Sequence, residues 1–382
     1  MTNKKIQEFE VVTDEINRAV RWASKVTQGK DFGLIAIHIT NGVMTLSATN
    51  GVTSSKSKAD VVQKFEGDLD FSVNGMTLAN ALKPAKDNTV KFTLEGGKKL
   101  NIRFGRVKFS LDVTMPRNKL VLPPLPPPLG KVEAKEFKAL MGHAISMTSD
   151  DASAPVLMTV RVEFSMQNKE VRMMATDRYK MVMRKMPFTP DPNSKDTEDF
   201  GIDIEARSFK TLMADLNDED IVTMYATGTE EIKQFGIATS TQIGMVSLKD
   251  VKPINYANFL RMKQSHNVVL KRSDLAQAIA TTKPLMGSVK TAELFIEGTD
   301  MSLKTPMTDI EIDIVSSDLP EGPMSIYVSL DILSPVLAAG KSTNICFNIE
   351  NSGKPVIVKE LNDDGSYNED YFSLFMPMRS PN

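Results

Sequence analysis

Residues 134–141 read Ala-Lys-Glu-Phe-Lys-Ala-Leu-Met, and residues 206–213, at an offset of 72, read Ala-Arg-Ser-Phe-Lys-Thr-Leu-Met. Six of the eight positions keep the same residue or the same charge. Phe137, Leu140 and Met141 stand at i, i+3 and i+4, which at about 100° per residue puts them on one stripe of a helix. Phe209, Leu212 and Met213 do likewise. Lys135 and Lys138, and in the second copy Arg207 and Lys210, fall off that stripe, so each helix pairs an apolar face with a basic flank. Either helix alone reads as a surface helix with solvated cations. Two copies imply one surface assembled from repeats.

The same stripe recurs four more times, each time after an extended run. Phe9 to Val12 precedes Ile16, Ala19 and Val20, with Arg18, Arg21 and Lys25 on the opposite side of the helical wheel. Phe71 to Val73 precedes Leu78, Ala81 and Leu82, with Lys83 and Lys86 behind. Val268 to Leu270 precedes Leu275, Ala278 and Ile279, with Lys283 downstream. Ile326 to Val328 precedes Leu333, Val336 and Leu337, closed by Gly340 and Lys341. Pro335 lies inside that last segment and removes a helix hydrogen bond unless it falls in the first turn. Offsets between first stripe residues are 62, 59, 72, 66 and 58, so six units of similar length fill the chain.

Strand signals follow the helices. Val90, Phe92 and Leu94, then Gly96-Gly97, then Leu100, Ile102 and Phe104 read as a hairpin, as do Leu294, Ile296, Gly298-Thr299-Asp300, Met301 and Leu303. Ile310, Ile312 and Ile314 alternate with Asp309, Glu311 and Asp313, a strand with one dry and one acidic face. The unit is a strand, a helix and two or three antiparallel strands. A unit of about 60 residues is marginal alone, and pairing units around a shared core predicts three domains. The fold class is α+β: three similar domains of two β-α-β-β-β units, helices on one face of antiparallel sheets. Expected boundaries are 1–122, a stiff proline-rich linker at 123–130 (Pro-Pro-Leu-Pro-Pro-Pro-Leu-Gly), 131–259 and 260–382. The polar stretch 189–199 reads as an exposed loop in the middle domain.

The formal net charge is -2, which excludes a protein that grips nucleic acid by bulk positive charge; any such surface is local. No apolar run of about 18 residues and no export signal is present, so neither membrane insertion nor secretion is expected. Cys346 is the only cysteine, which rules out an intrachain disulfide and fits a reducing cytoplasm.

Catalytic and cofactor chemistry finds no foothold. Neither phosphate-cradling glycine pattern occurs. His38, His143 and His266 fall in different units without metal-ligand spacing. Asp150 and Asp151 are adjacent and diverge. Asn362, Asp364 and Gly365 faintly resemble a calcium loop, yet Tyr371 stands where a bidentate glutamate is required. The expectation is a binding or scaffolding protein with no metal, no cofactor and no enzymatic activity, rather than a metal-dependent nuclease.

Three short motifs then carry a resemblance. The C-terminus holds Met376-Pro377-Met378-Arg379; Ala175-Thr176-Asp177-Arg178-Tyr179-Lys180-Met181 is similar to A-T-D-G-H-R-L; and Ala154-Pro155-Val156-Leu157 is similar to R-P-V-L. With six strand-helix-strand units, these resemble the bacterial DNA polymerase III beta subunit, the sliding clamp. The departures are those of a divergent member, such as a phage would encode. The resemblance implies a DNA clamp fold in which two copies join head to tail into a ring around duplex DNA, tethering a polymerase. The rival reading is a multidomain nucleic-acid scaffold that does not encircle its ligand.

The resemblance also implies sites. Facing the DNA would be Arg18, Arg21, Lys25, Lys83, Lys86, Lys135, Lys138, Arg207, Lys210, Lys283 and Lys341. A cleft for a short apolar peptide of the polymerase or clamp loader would use Leu157, Thr176, Arg178, Tyr179, Lys180, Met181, Ile254, Asn258, Phe259, Leu374, Phe375, Met376, Pro377, Met378 and Arg379. Gly-His-Arg has become Arg178-Tyr179-Lys180, and a proline and an arginine of the family appear as Ile254 and Asn258. The homodimer interface would hold Phe109 and Leu111 against Leu285 and Met286.

Overall fold

A computed structural model describes residues 6–27, 33–62, 67–115, 120–194, 198–226 and 234–380. Within them every repeat contains one strand, one helix and three further strands. The first is β1 (Ile6–Val12), α1 (Thr13–Val26), β2 (Leu34–Thr40), β3 (Val43–Thr49) and β4 (Thr53–Asp60). The second is β5 (Leu69–Asn74), α2 (Gly75–Leu82), β6 (Thr89–Glu95), β7 (Lys99–Phe104) and β8 (Val107–Asp112). The third is β9 (Pro128–Glu133), α3 (Ala134–Ser146), β10 (Thr159–Ser165), β11 (Glu170–Thr176) and β12 (Lys180–Pro187), followed by the short β13 (Thr189–Pro190). The fourth is β14 (Phe200–Glu205), α4 (Ala206–Met213), β15 (Ile221–Tyr225), β16 (Gln234–Ala238) and β17 (Gln242–Ser247). After the short α5 (Ala257–Leu260), the fifth is β18 (His266–Lys271), α6 (Arg272–Thr282), β19 (Ala292–Glu297), β20 (Asp300–Thr305) and β21 (Thr308–Ser317). The sixth is β22 (Met324–Val328), α7 (Leu330–Ala338), β23 (Asn344–Ile349), β24 (Val356–Glu360) and β25 (Tyr371–Phe375).

Repeats are coupled in pairs by exchanging their first strands. β1 pairs with β6 of the second repeat, and β5 with β2 of the first. The same exchange joins β9 to β15 and β14 to β10, then β18 to β23 and β22 to β19. All of these pairings are antiparallel. Neither repeat of a pair completes its sheets without the other. The three similar α+β domains follow from that pairing.

Contacts divide the chain into two compact units, residues 1–135, 189–197 and 207–248, and residues 136–188, 198–206 and 249–382. In the first unit lie the four-stranded sheet β1-β6-β7-β8 and the nine-stranded sheet β13-β9-β15-β16-β17-β4-β3-β2-β5. Its core draws Phe9, Ile16, Val20, Phe71, Leu78, Leu82 and Phe92 from both sheets and both helices of repeats one and two. The β6–β7 hairpin has the expected register, Phe92 opposite Ile102 and Leu94 opposite Leu100. Its turn uses two left-handed glycines, Gly96 (φ 56°) and Gly97 (φ 64°), whose twist matches that of the flanking strands.

The second unit holds the twelve-stranded sheet β14-β10-β11-β12-β25-β24-β23-β18-β21-β20-β19-β22. Ile296 faces Met301 and Leu294 faces Leu303 in the β19–β20 hairpin, as the pattern predicts. On β21, Ile312 is buried while Asp309, Glu311 and Asp313 are exposed. Helix α7 forms despite Pro335 in its interior. Ser329 caps its start, the Ser334 hydroxyl donates to the Leu330 carbonyl at 2.5 Å, and Leu330, Leu333, Val336 and Leu337 are buried. Tertiary packing of that face outweighs the missing backbone bond.

Two expectations shift. The proline-rich stretch is strand from Pro128 onward, with Leu129 fully buried, so only its first residues connect elements. Of the polar stretch 189–199, Thr189 and Pro190 add a strand to β9, while residues 195–197 lie outside the described residues.

Candidate nucleic-acid and partner-binding sites

The helices present their flanks as the wheel predicts. On α1, Ile16, Ala19, Val20, Trp22 and Ala23 are buried, and Arg18 and Arg21 are exposed. Trp22 Nε1 donates to the Ile243 carbonyl at 3.0 Å, which anchors the buried face of the helix to β17. Lys83, Lys86, Lys135, Arg207 and Lys210 are likewise exposed, and Lys138 is half-buried.

Lys25, Lys283 and Lys341 are among the cations that make ion pairs. Lys25 Nζ lies 2.9 Å from Asp215 Oδ2, Lys283 Nζ 2.6 Å from Asp331 Oδ1, and Lys341 Nζ 3.8 Å from Glu136 Oε1. The Lys283 and Lys341 pairs are exposed, contribute about 0–1 kcal/mol each and open readily to another anion, whereas the Lys25–Asp215 pair is more enclosed. The exposed set offers a polyanion weak attraction that salt screens within about 8 Å.

Beside Lys341 lies a polar centre that sequence reasoning missed. Arg184 of β12 donates from Nε to the Ala339 carbonyl at 2.8 Å and from Nη2 to Glu360 Oε1 at 3.0 Å, and its guanidinium stacks 4.8 Å from the Tyr371 ring centre. Arg184 and Glu360 are both buried. The backbone N–H groups of Lys341 and Ser342 also donate to Glu360, and Asn368 Nδ2 donates to its other oxygen at 2.9 Å. The network ties the third repeat to the sixth. An isolated arginine and glutamate in sequence gave no signal of it.

Most of the residues expected at a peptide site lie on a turn, a connecting segment and a tail. The β11–β12 turn is fixed by its own side chains. Thr176 Oγ1 donates to the Lys180 carbonyl at 2.7 Å and accepts from the Arg178 N–H at 3.1 Å. Asp177 Oδ1 accepts from the N–H groups of Tyr179 and Lys180, both at 2.9 Å, and its second oxygen pairs with Lys180 Nζ. Arg178 takes φ 82°, a left-handed conformation that costs a residue with a Cβ about 1–2 kcal/mol. Arg178 and Tyr179 are exposed, whereas Thr176, Lys180 and Met181 are buried.

Met181 and Leu374, opposite one another on β12 and β25, share an apolar cluster with Met174, Met183, Tyr256, Ile357 and Phe372. Ile254, Phe259, Leu260 and Met262 pack onto it from the segment around α5, and Asn258 is exposed on that helix. Burial pushes the Tyr256 hydroxyl pKa well above its usual range, and neighbouring Asp203 adds to the shift. From β25 the tail runs on beside the turn. The Met376 N–H donates to the Tyr179 carbonyl at 2.7 Å, and the Met378 N–H to the Tyr327 carbonyl at 2.7 Å. Met376 and Pro377 are half-buried, Met378 and Arg379 exposed.

Two residues stand apart from this group. Phe375 points to the other face of β25, fully buried with its ring 5.7 Å from that of Phe347. Leu157 is buried in the 3-10 turn Pro155–Met158, where its carbonyl accepts from the Ser149 N–H at 2.8 Å. Of the interface residues, Phe109 and Leu111 are partly buried against the first unit's core, Leu285 is exposed and Met286 is buried. Among the described residues no cluster of three metal-ligating side chains occurs, and no helix is long and apolar enough to cross a membrane.

Comparison with known proteins matches this arrangement over almost the whole chain. A Bacillus subtilis DNA polymerase sliding clamp superposes with a TM-score of 0.83 at 14% identity, covering 99% of this chain and 100% of that one. A Thermotoga maritima DNA polymerase III beta subunit gives 0.82 at 17% identity, with the same coverage. The fold is that of the bacterial sliding clamp. In sequence, the chain is 29% identical to the Micrococcus luteus beta sliding clamp over 192 residues, which is 48% of this chain and 60% of that relative. The matched part is thus under two thirds of the relative's length. No family model matches the chain. Within the clamp fold, the repeated octapeptides are the helices of the third and fourth repeats, and the Met-Pro-Met-Arg motif is the strand-anchored tail.

Proposed function

We propose that this chain is a sliding clamp, a non-catalytic ring of two copies that encircles duplex DNA and tethers a polymerase to it. What carries the reading is the pattern of joints between strand-exchanged pairs. The last strand of the first repeat pairs with that of the fourth (β4 with β17), and the last strand of the third with that of the sixth (β12 with β25). Both joints are antiparallel. The last strands of the second and fifth repeats, β8 and β21, are left over. Among the described residues, β8 has β7 on one side and no strand on the other, and residues 308–313 of β21 pair only with β20. An unpaired edge carrying exposed Val107 is an aggregation hazard unless a partner covers it. Joining β8 of one copy to β21 of a second would make a third joint like the other two and close the assembly head to tail.

The charge distribution suits that function. A ring linked topologically to DNA needs no tight phosphate contacts, and strong ones would impede sliding. Weakly attracting cations on the repeat helices would centre the duplex, and a net charge of -2 prevents general adhesion. The turn at 176–180, the segment around α5 and the tail would receive a short apolar peptide of a polymerase or clamp loader, since methionine-rich surfaces adapt to varied apolar side chains.

Sedimentation tests the closure. The wild-type chain should run as a dimer at micromolar concentration, and Phe109→Asp should run as a folded monomer, because it sets a charge in an apolar joint. A wild-type monomer would overturn the reading.

A further inference from the structure

We infer that Arg178 selects the partner, so that the peptide received beside Tyr179 and the tail carries an acidic side chain next to its apolar residues. The inference rests on the peptide-site reading above and names the chemistry of its ligand. Arg178 occupies a left-handed backbone position that glycine takes without strain, and the turn gives it no way out. The N–H groups of residues 178, 179 and 180 are all bound to the oxygens of Thr176 and Asp177. β11 and β12 fix both ends of the turn. Strain of this kind persists where the side chain serves something other than folding.

Nothing among the described residues uses the guanidinium. Among the described residues it makes no hydrogen bond and no ion pair. Asp177, its neighbour, is committed to Lys180. Asp151 lies within electrostatic reach, but its carboxylate is held mainly by the Ser153 hydroxyl and N–H. The cation therefore stands exposed on the turn beside the Tyr179 ring, and the tail that binds this turn exposes the Met378 side chain. Arg379 adds a second exposed cation to the tail. An apolar surface with an unspent planar cation at its edge fits a peptide that presents leucine, methionine or phenylalanine and, beside them, a carboxylate that the guanidinium can hold by two parallel hydrogen bonds.

The probe is a pair of fluorescent decapeptide pools, capped at both ends, with a central block of Leu, Met and Phe. One pool carries Asp or Glu at the flanking positions, the other Asn or Gln. By fluorescence anisotropy the wild-type dimer should bind the acidic pool roughly five- to tenfold more tightly than the amide pool, and added salt should shrink that preference. Arg178→Gly should bind both pools equally, at the wild-type affinity for the amide pool, and should unfold at a higher temperature because the turn is relieved. Arg178→Lys should keep part of the preference. If the wild type binds both pools alike, Arg178 selects nothing and the inference fails while the peptide site stands. If neither pool binds, the site itself is wrong and the inference falls with it.

Discussion

His143 shows how one half-buried side chain sets a limit on the molecule. It lies on α3 with Nδ1 buried and unpartnered among the described residues. Burial first, and then the Arg184 and Lys341 cations, lower its pKa from 6.5 to about 4. Above about pH 4 the folded chain holds the ring neutral. Between about pH 6.5 and 4 the unfolded chain binds a proton there that the folded chain does not, so stability falls as pH drops through that window. The urea midpoint should decline from pH 7 to pH 5, and His143→Asn should flatten this decline; parallel profiles for the two proteins would contradict the assignment. Residue-scale detail of this kind was poorly legible in sequence. Phe375 reads as a groove residue there, but β25 is buried on both faces, and a strand without a polar face gives no clue to which way each side chain points. The strain at Arg178 was equally hidden, since a turn's φ values follow from side-chain hydrogen bonds that spacing alone does not reveal.

At the scale of elements, the six helices were legible because a 3.6-residue period writes the buried stripe directly into the chain. The octapeptide of α4 makes the test. Phe209 is fully buried with its ring 5.4 Å from that of Phe235, while Lys210 is exposed. Phe209→Ala should cost about 3–5 kcal/mol by chemical denaturation, and Lys210→Ala should stay within about 0.5 kcal/mol. Equal effects would mean that the stripe and the flank have been assigned to the wrong faces. Hairpins were legible for a related reason, as at Gly96-Gly97, where turn chemistry fixes the register. The exchange of first strands was not. It pairs β1 with β6 and β5 with β2 across the intervening strands and helices of two consecutive repeats, and local pattern carries no information about so distant a partner. The polar centre at Arg184 and Glu360 escaped notice similarly, its two members 176 residues apart.

The whole molecule combines six basic flanks with a net charge of -2, and that combination distinguishes a topological from an electrostatic hold on DNA. Neutralising Arg21, Lys138 and Lys210 together should slow loading onto DNA and leave the retained fraction as firmly linked as before. The most direct measurement follows the protein after a clamp loader has placed it on nicked circular duplex. A ring should remain on the circle through a high-salt wash, because salt dissolves phosphate contacts and cannot open a closed joint, and should be lost once a single cut makes the circle linear. Equal retention on circles and linear DNA, with both lost as salt rises, would show ordinary electrostatic binding and contradict the clamp.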